Sequence, residues 1–76
     1  MKPITLEQAK QLKISTILYH RQAKNADGSP QRWKVTGKVQ TWKRDLNMVS
    51  ISLKRGMYTY SHLTKMNLWY FSLNDK

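Results

Sequence analysis

Gln31 to Arg44, QRWKVTGKVQTWKR, is the stretch whose reading decides the fold. Side chains along a strand alternate between two faces. Trp33, Val35, Val39 and Thr41 fall on one parity, while Arg32, Lys34, Thr36, Lys38, Gln40, Trp42 and Arg44 fall on the other. A strand of this kind closes a core with its first face and presents a ladder of cations, with one aromatic, on its second. Gly37 interrupts it, and two geometries fit. Thr36-Gly37 can form a two-residue hairpin turn, because glycine tolerates positive φ. Alternatively, Gly37 marks a bulge or corner within one continuous strand. The hairpin sets Val35 against Lys38 and Trp33 against Gln40, mixing apolar and charged residues on each face. The bent continuous strand keeps them apart and is the preferred expectation.

Toward the N-terminus, ISTILYHRQ (residues 14–22) is rich in β-branched and aromatic residues, which suit a pleated surface, and predicts a strand over Thr16–Gln22. Between the two strands, AKNADGSPQ predicts a long loop, with Asp27-Gly28 supplying a turn and Pro30 removing a donor before the next strand. Lys24 sits in that loop and reads as part of a plain surface connection. Residues 3–13 predict a short helix, capped by Thr5 with Gln8 reaching back to close a capping box. Ile4 and Ala9 occupy the hydrophobic-staple positions, and Glu7 lies in the first turn, where the helix dipole favours a negative charge.

Toward the C-terminus, Asp45-Leu46-Asn47 predicts a turn and Met48–Lys54 a strand with Val49, Ile51 and Leu53 inward and Ser50, Ser52 and Lys54 outward. Arg55-Gly56 predicts a tight turn into a short strand, Met57–Tyr60. Ser61–Asn67 reads as one helical turn, and Leu68–Leu73 as a closing strand. The expected fold is therefore mainly β, α+β by count. It is a small, strongly bent antiparallel sheet or small barrel with a short N-terminal helix and one helical turn before the last strand. No β-α-β alternation argues for a parallel sheet.

The segments LYH, KNADGSPQRWKVTGKVQTWKR and SLKRGMYTY together resemble short proteins of unassigned function carried by bacteriophages and other mobile elements. The strand rhythm also resembles that of SH3-like small β-barrels: a long first loop, a bent second strand, then a helical turn before the last strand. The first resemblance implies little chemistry. The second implies an architecture that hosts peptide, methyl-lysine, RNA and DNA binding alike.

The chain has 76 residues with 14 Lys and Arg against 4 Asp and Glu, a formal net charge of +10. That length reads as a single domain over 1–76, and such domains bury only about 60% of the surface their unfolded chains expose. With no cysteine, neither disulfides nor thiolate metal sites staple the fold, in keeping with a reducing cytoplasm. No stretch approaches the roughly 20 apolar residues of a membrane span, and no apolar run follows Lys2 as in a signal peptide. No membrane partner is expected.

Catalysis finds little footing. Glu7, Asp27, Asp45 and Asp75 form no close sequence pair, and His20 and His62 have no neighbouring acid or cysteine. Gly37-Lys38 lacks the rest of a phosphate loop. Neither enzymatic activity, nor a cofactor, nor a metal is expected. The charge points instead to a polyanion. The expected nucleic-acid-binding residues are Arg32, Lys34, Lys38, Trp42, Lys43, Arg44, Lys54 and Arg55, with Arg21 as a possible flank and Trp42 available to stack on an unpaired base. DNA and RNA are both open. Trp33 reads as core, but Tyr58, Tyr60, Trp69, Tyr70 and Phe71 are too many for one small core to enclose. The surplus suits a rival role, an interaction factor that grips an acidic host protein such as a nuclease or polymerase. Self-association into a homodimer through an open sheet edge fits either role.

Overall fold

Thr5 starts the chain's first regular element. In the computed structural model, which describes residues 1–60 and 65–74, its hydroxyl accepts from the Gln8 backbone N–H while the Gln8 side chain accepts from the Thr5 backbone N–H. Both halves of the expected capping box are present. The helix they open, α1 (Leu6–Lys10), is shorter than the expected 3–13, because Gln11 already leaves helical geometry. Ile4 and Ala9 are both buried.

The strands follow in the order β1 (Ile17–Lys24), β2 (Pro30–Val35), β3 (Gln40–Thr41), β4 (Val49–Ser50), β5 (Leu53–Arg55), β6 (Tyr58–Tyr60) and β7 (Phe71–Ser72), with a 3-10 turn over Lys65–Tyr70. All pairings are antiparallel. Five strands form one sheet in the order β6-β5-β2-β1-β7, and β3 and β4 form a separate two-stranded ribbon. The expected mainly β fold with its short helix and helical turn is present. The sheet is open, not a closed barrel: β6 and β7 are its edges.

Gly37 neither turns a hairpin nor leaves the strand intact. Lys34 pairs with Lys54 and Val35 with Leu53, and the Thr36 N–H still donates to the Ser52 carbonyl at 3.0 Å. Pairing resumes at Gln40 with Ser50 and Thr41 with Val49. Gly37, Lys38 and Val39 thus stand opposite Ile51 alone, so this side carries two more residues than its partner. The stretch runs on as one bulged ribbon, close to the bent-strand expectation. Because side chains alternate with a period of two, an even insertion leaves the phase unchanged. Trp33 and Val35 are buried and Val39 is half-buried, while Arg32, Lys34, Thr36, Lys38, Gln40 and Trp42 are exposed. Thr41 departs from the expected pattern and is exposed, as are all residues through Met48. The ribbon has run past the core there. The same bulge splits the expected Met48–Lys54 strand into β4 and β5. Val49, Ile51 and Leu53 are inward as expected, but Ser50 is buried too, at 8% exposure.

A second bulge lies in β1. Ile17, Leu18 and Tyr19 pair with Lys34, Trp33 and Arg32, after which pairing resumes only at Lys24 with Pro30. His20, Arg21, Gln22 and Ala23 therefore face Gln31 alone. Nδ1 of His20 accepts the backbone N–H groups of Gln22 at 3.1 Å and Ala23 at 2.8 Å, satisfying donors that the bulge withdraws from the ladder. Beyond it, the connection to β2 is a tight loop over residues 25–29, shorter than the expected nine-residue loop AKNADGSPQ. The Asn25 N–H donates to the Ser29 carbonyl, Asp27 accepts from Ser29, and Gly28 holds φ at +88°.

The β5–β6 turn is Gly56-Met57, with Arg55 paired to Tyr58. Positive φ occurs at Gly56 (+59°) and not at Met57, the pattern of a type II′ hairpin turn. The closing strand is shorter than expected, because Leu68, Trp69 and Tyr70 belong to the 3-10 turn. Its three-residue repeat aligns Leu68 with Phe71, and both are buried, at 4% and 2% exposure. The expected helical turn over Ser61–Asn67 falls partly outside the described residues. The core is completed by Leu18, and the Ile4 N–H donates to the Phe71 carbonyl at 2.8 Å, fastening the N-terminal segment beside β7.

Candidate functional site

Cross-strand register, more than charge count, defines the most distinctive surface. Paired residues in an antiparallel ladder share a face, with opposed Cβ atoms about 5 Å apart. Lys34 is paired on one side with Ile17 and on the other with Lys54, which in turn faces Thr59. Arg32, two positions before Lys34, is paired with Tyr19 and sits over its ring at 5.9 Å. Pro30 continues that face of β2, and its partner is Lys24. One face of the open sheet therefore gathers Lys24, Arg32, Lys34 and Lys54, all exposed.

Lys24 was not among the expected site residues, because the sequence reads it as part of the loop after a strand ending at Gln22. Instead β1 runs on to Lys24, where strict alternation would set it on the opposite face from Ile17 and Tyr19. The β1 bulge inserts an odd number of residues, which reverses the phase and returns Lys24 to the cationic side. A sequence signal for that bulge is hard to find: His20, whose imidazole stands in for the missing ladder acceptor, reads in isolation as an ordinary strand residue.

Among the described residues, no carboxylate is hydrogen-bonded to a side chain of this face. Asp27 accepts from the Ser29 backbone and hydroxyl, at 3.0 Å and 2.6 Å, and Asp45 accepts from the Asn47 N–H at 2.9 Å, so both carboxylates close their own turns. The Ser29 hydrogen bonds, with a smaller contribution from the Arg32 charge, hold the Asp27 carboxyl below the usual carboxylate range. Glu7 lies on α1. Like charges opposed across a ladder destabilise the sheet, so the Lys34–Lys54 pair carries a folding cost.

The other expected site residues divide. Lys38 is exposed within the bulge between the two halves of the ribbon. Trp42, Lys43 and Arg44 lie in the β3–β4 loop, on the order of 20 Å further along the ribbon from Lys34 at strand spacing. They are exposed, with Trp42 at 39%, and add a second group of cations further along the ribbon. The Lys10 ammonium donates to the Leu46 carbonyl at 2.6 Å and ties that loop to α1. Arg55 is on the other face of the sheet from Lys54, and its guanidinium donates to the Asn25 side-chain oxygen at 2.8 Å. Arg21 acts as a clamp within the fold: it donates to the carbonyls of Met1 (3.1 Å) and Trp69 (2.8 Å) and lies 4.4 Å over the Trp69 ring.

Of the aromatics, Trp33 and Phe71 are buried, whereas Tyr58, Trp69 and Tyr70 are exposed. His20 packs edge-on against Phe71 at 5.1 Å, and its burial lowers its affinity for a proton. Among the described residues no group of His, Cys, Asp or Glu is arranged to hold a metal, and no helix is long and apolar enough to cross a membrane. No protein family, curated protein or solved structure matches this chain.

Proposed function

We propose that this chain is a small, non-enzymatic nucleic-acid-binding protein that takes the phosphate backbone along the face formed by Lys24, Arg32, Lys34 and Lys54. The observation that carries this reading is the Lys34–Lys54 pair: two lysines directly opposed on an open sheet, with no carboxylate hydrogen-bonded or ion-paired to either among the described residues. A run of phosphates offsets that repulsion and releases condensed counterions. Lys38 and the Trp42–Arg44 loop supply a second contact further along the ribbon. We read the architecture as an opened version of the SH3-like plan. What supports this is the order β6-β5-β2-β1-β7, with a 3-10 turn just before the last strand.

The test is an electrophoretic shift series over duplex DNA, single-stranded DNA and structured RNA at several salt concentrations. Wild type is expected to retard nucleic acid at low salt and release it steeply as salt rises. Lys34→Glu with Lys54→Glu is expected to abolish retention while the fold persists. Normal binding by that double variant overturns the site assignment.

A second reading, an interaction factor for an acidic host protein of the kind a phage-borne chain would meet, is favoured by one feature. The β5–β6 hairpin tip exposes Met57 at 96% and Tyr58 at 67%. Met57→Ser is expected to weaken such a protein contact and to leave nucleic-acid retention unchanged.

A further inference from the structure

The sheet's other face carries a cleft that the cationic surface does not use. Val35 pairs with Leu53, so continuing that register brings Trp33 level with Arg55, and Arg55 pairs with Tyr58. An aromatic, a guanidinium and a second aromatic therefore form one row across β2, β5 and β6. Together with Gln31 and Thr59 they line an open cleft of about 420 Å³. Trp33 is buried at its floor and Tyr58 stands exposed at its rim. Arg55 is half-buried and preset: Asn25 accepts its guanidinium, and the Asn25 amide nitrogen donates to Ser29 Oγ at 3.0 Å and to the Pro30 carbonyl at 3.3 Å.

We propose that this cleft binds an unpaired nucleobase. The idea rests on the nucleic-acid reading above and deepens it by naming single-stranded nucleic acid as the ligand. A base offers a flat π-face and an edge of mixed donors and acceptors. Tyr58 supplies a ring for the face, and Arg55 and the Gln31 amide supply donors and an acceptor for the edge. A duplex hides both features by stacking and pairing, so it cannot fill the cleft without extruding a base. Thr59 links the two surfaces: it lines the cleft, and it is the ladder partner of Lys54 on the cationic face. A strand seated on Lys34 and Lys54 reaches the cleft by turning around the β6 edge.

Fluorescence anisotropy with one oligonucleotide, single-stranded and as its duplex, tests the proposal in wild type, Tyr58→Ala and Tyr58→Phe. Tyr58→Ala is expected to weaken single-strand binding roughly 5- to 150-fold, the usual loss for one stacked base. Its duplex affinity and salt slope should stay unchanged, and Tyr58→Phe, which keeps the ring, should behave as wild type. Equal losses on both substrates, or none, overturn the proposal. A second measurement needs no phosphate: titration with a neutral nucleoside, followed by NMR at the Trp33 indole, the Gln31 amide and Arg55 Nε. Shifts at these groups support the cleft. Their absence overturns it, as does a response to glutamate alone, which marks a carboxylate site. Should no oligonucleotide bind at all, the cationic face loses its assignment, and the nucleoside titration still decides the cleft.

Discussion

Lys34 and Lys54 face each other across the β2–β5 ladder, one pair beyond Val35 and Leu53. The inner pair packs in the core and the outer pair repels, so one short piece of sheet holds opposed contributions to stability and to binding. A single substitution can separate them. Lys34→Glu replaces a like-charge pair with an opposite-charge one, expected to raise stability by about 0.2–1 kcal/mol. The same change should weaken nucleic-acid binding and reduce the salt slope by about 0.9 for each phosphate no longer neutralised. Thermal unfolding and a salt titration of the same variant check both signs.

His20 makes stability fall in mild acid. Burial holds its pKa below the ordinary 6.5, and the bare Nδ1 that accepts from Gln22 and Ala23 is available only in the neutral ring. A histidine depressed in the folded state contributes stability that is fully present above the unfolded value. That contribution is lost as pH falls from about 6.5 through the folded value. Urea unfolding across this range should show the decline, and His20→Leu, though less stable at neutral pH, should flatten it.

Two glycines predict opposite outcomes. Gly56 holds φ at +59° in the type II′ turn, so Gly56→Ala strains the backbone and should cost about 1–2 kcal/mol. Gly37 has no positive φ, and a Cβ there would meet Ser52 Cβ at an ordinary 3.8 Å. Gly37→Ala should be neutral or stabilise by up to about 1 kcal/mol through the unfolded chain. Chemical denaturation of the two variants distinguishes them.

Arg21 ties the N-terminus and the 3-10 turn to β1 through two carbonyls and a ring. Arg21→Ala should cost roughly 1.5–3 kcal/mol, the range for hydrogen bonds to a charged group. It should leave the salt slope of binding unchanged, because this guanidinium is engaged inside the fold. Unfolding and binding measured on the same variant test the division of roles.

The fold was legible wherever chemistry acts locally. Thr5 and Gln8 announce their capping box, Asp27-Gly28 and Asp45 their turns, and Trp33, Val35, Val49, Ile51 and Leu53 the inward parity. What stayed hidden depends on partners distant in sequence. Leu68 to Tyr70 look like strand, yet the three-residue spacing to Phe71 is what buries Leu68. Arg55 looks like one more outward cation, but it shares its parity with Leu53, and Asn25 across the sheet captures it. The candidate site was half legible: Arg32, Lys34 and Lys54 follow from alternation, whereas Lys24 depends on a bulge held by an imidazole.

Bulge arithmetic leaves an asymmetry in how length changes are tolerated near Gly37. Removing Lys38 and Val39 together would erase the excess of β2–β3 over its partner and keep every later side chain on its present side. Removing Lys38 alone would rotate the downstream ribbon by half a repeat, exchanging the sides of Gln40 and Thr41 and undoing their match to Ser50 and Val49. In this ribbon, a shorter deletion is the more damaging one.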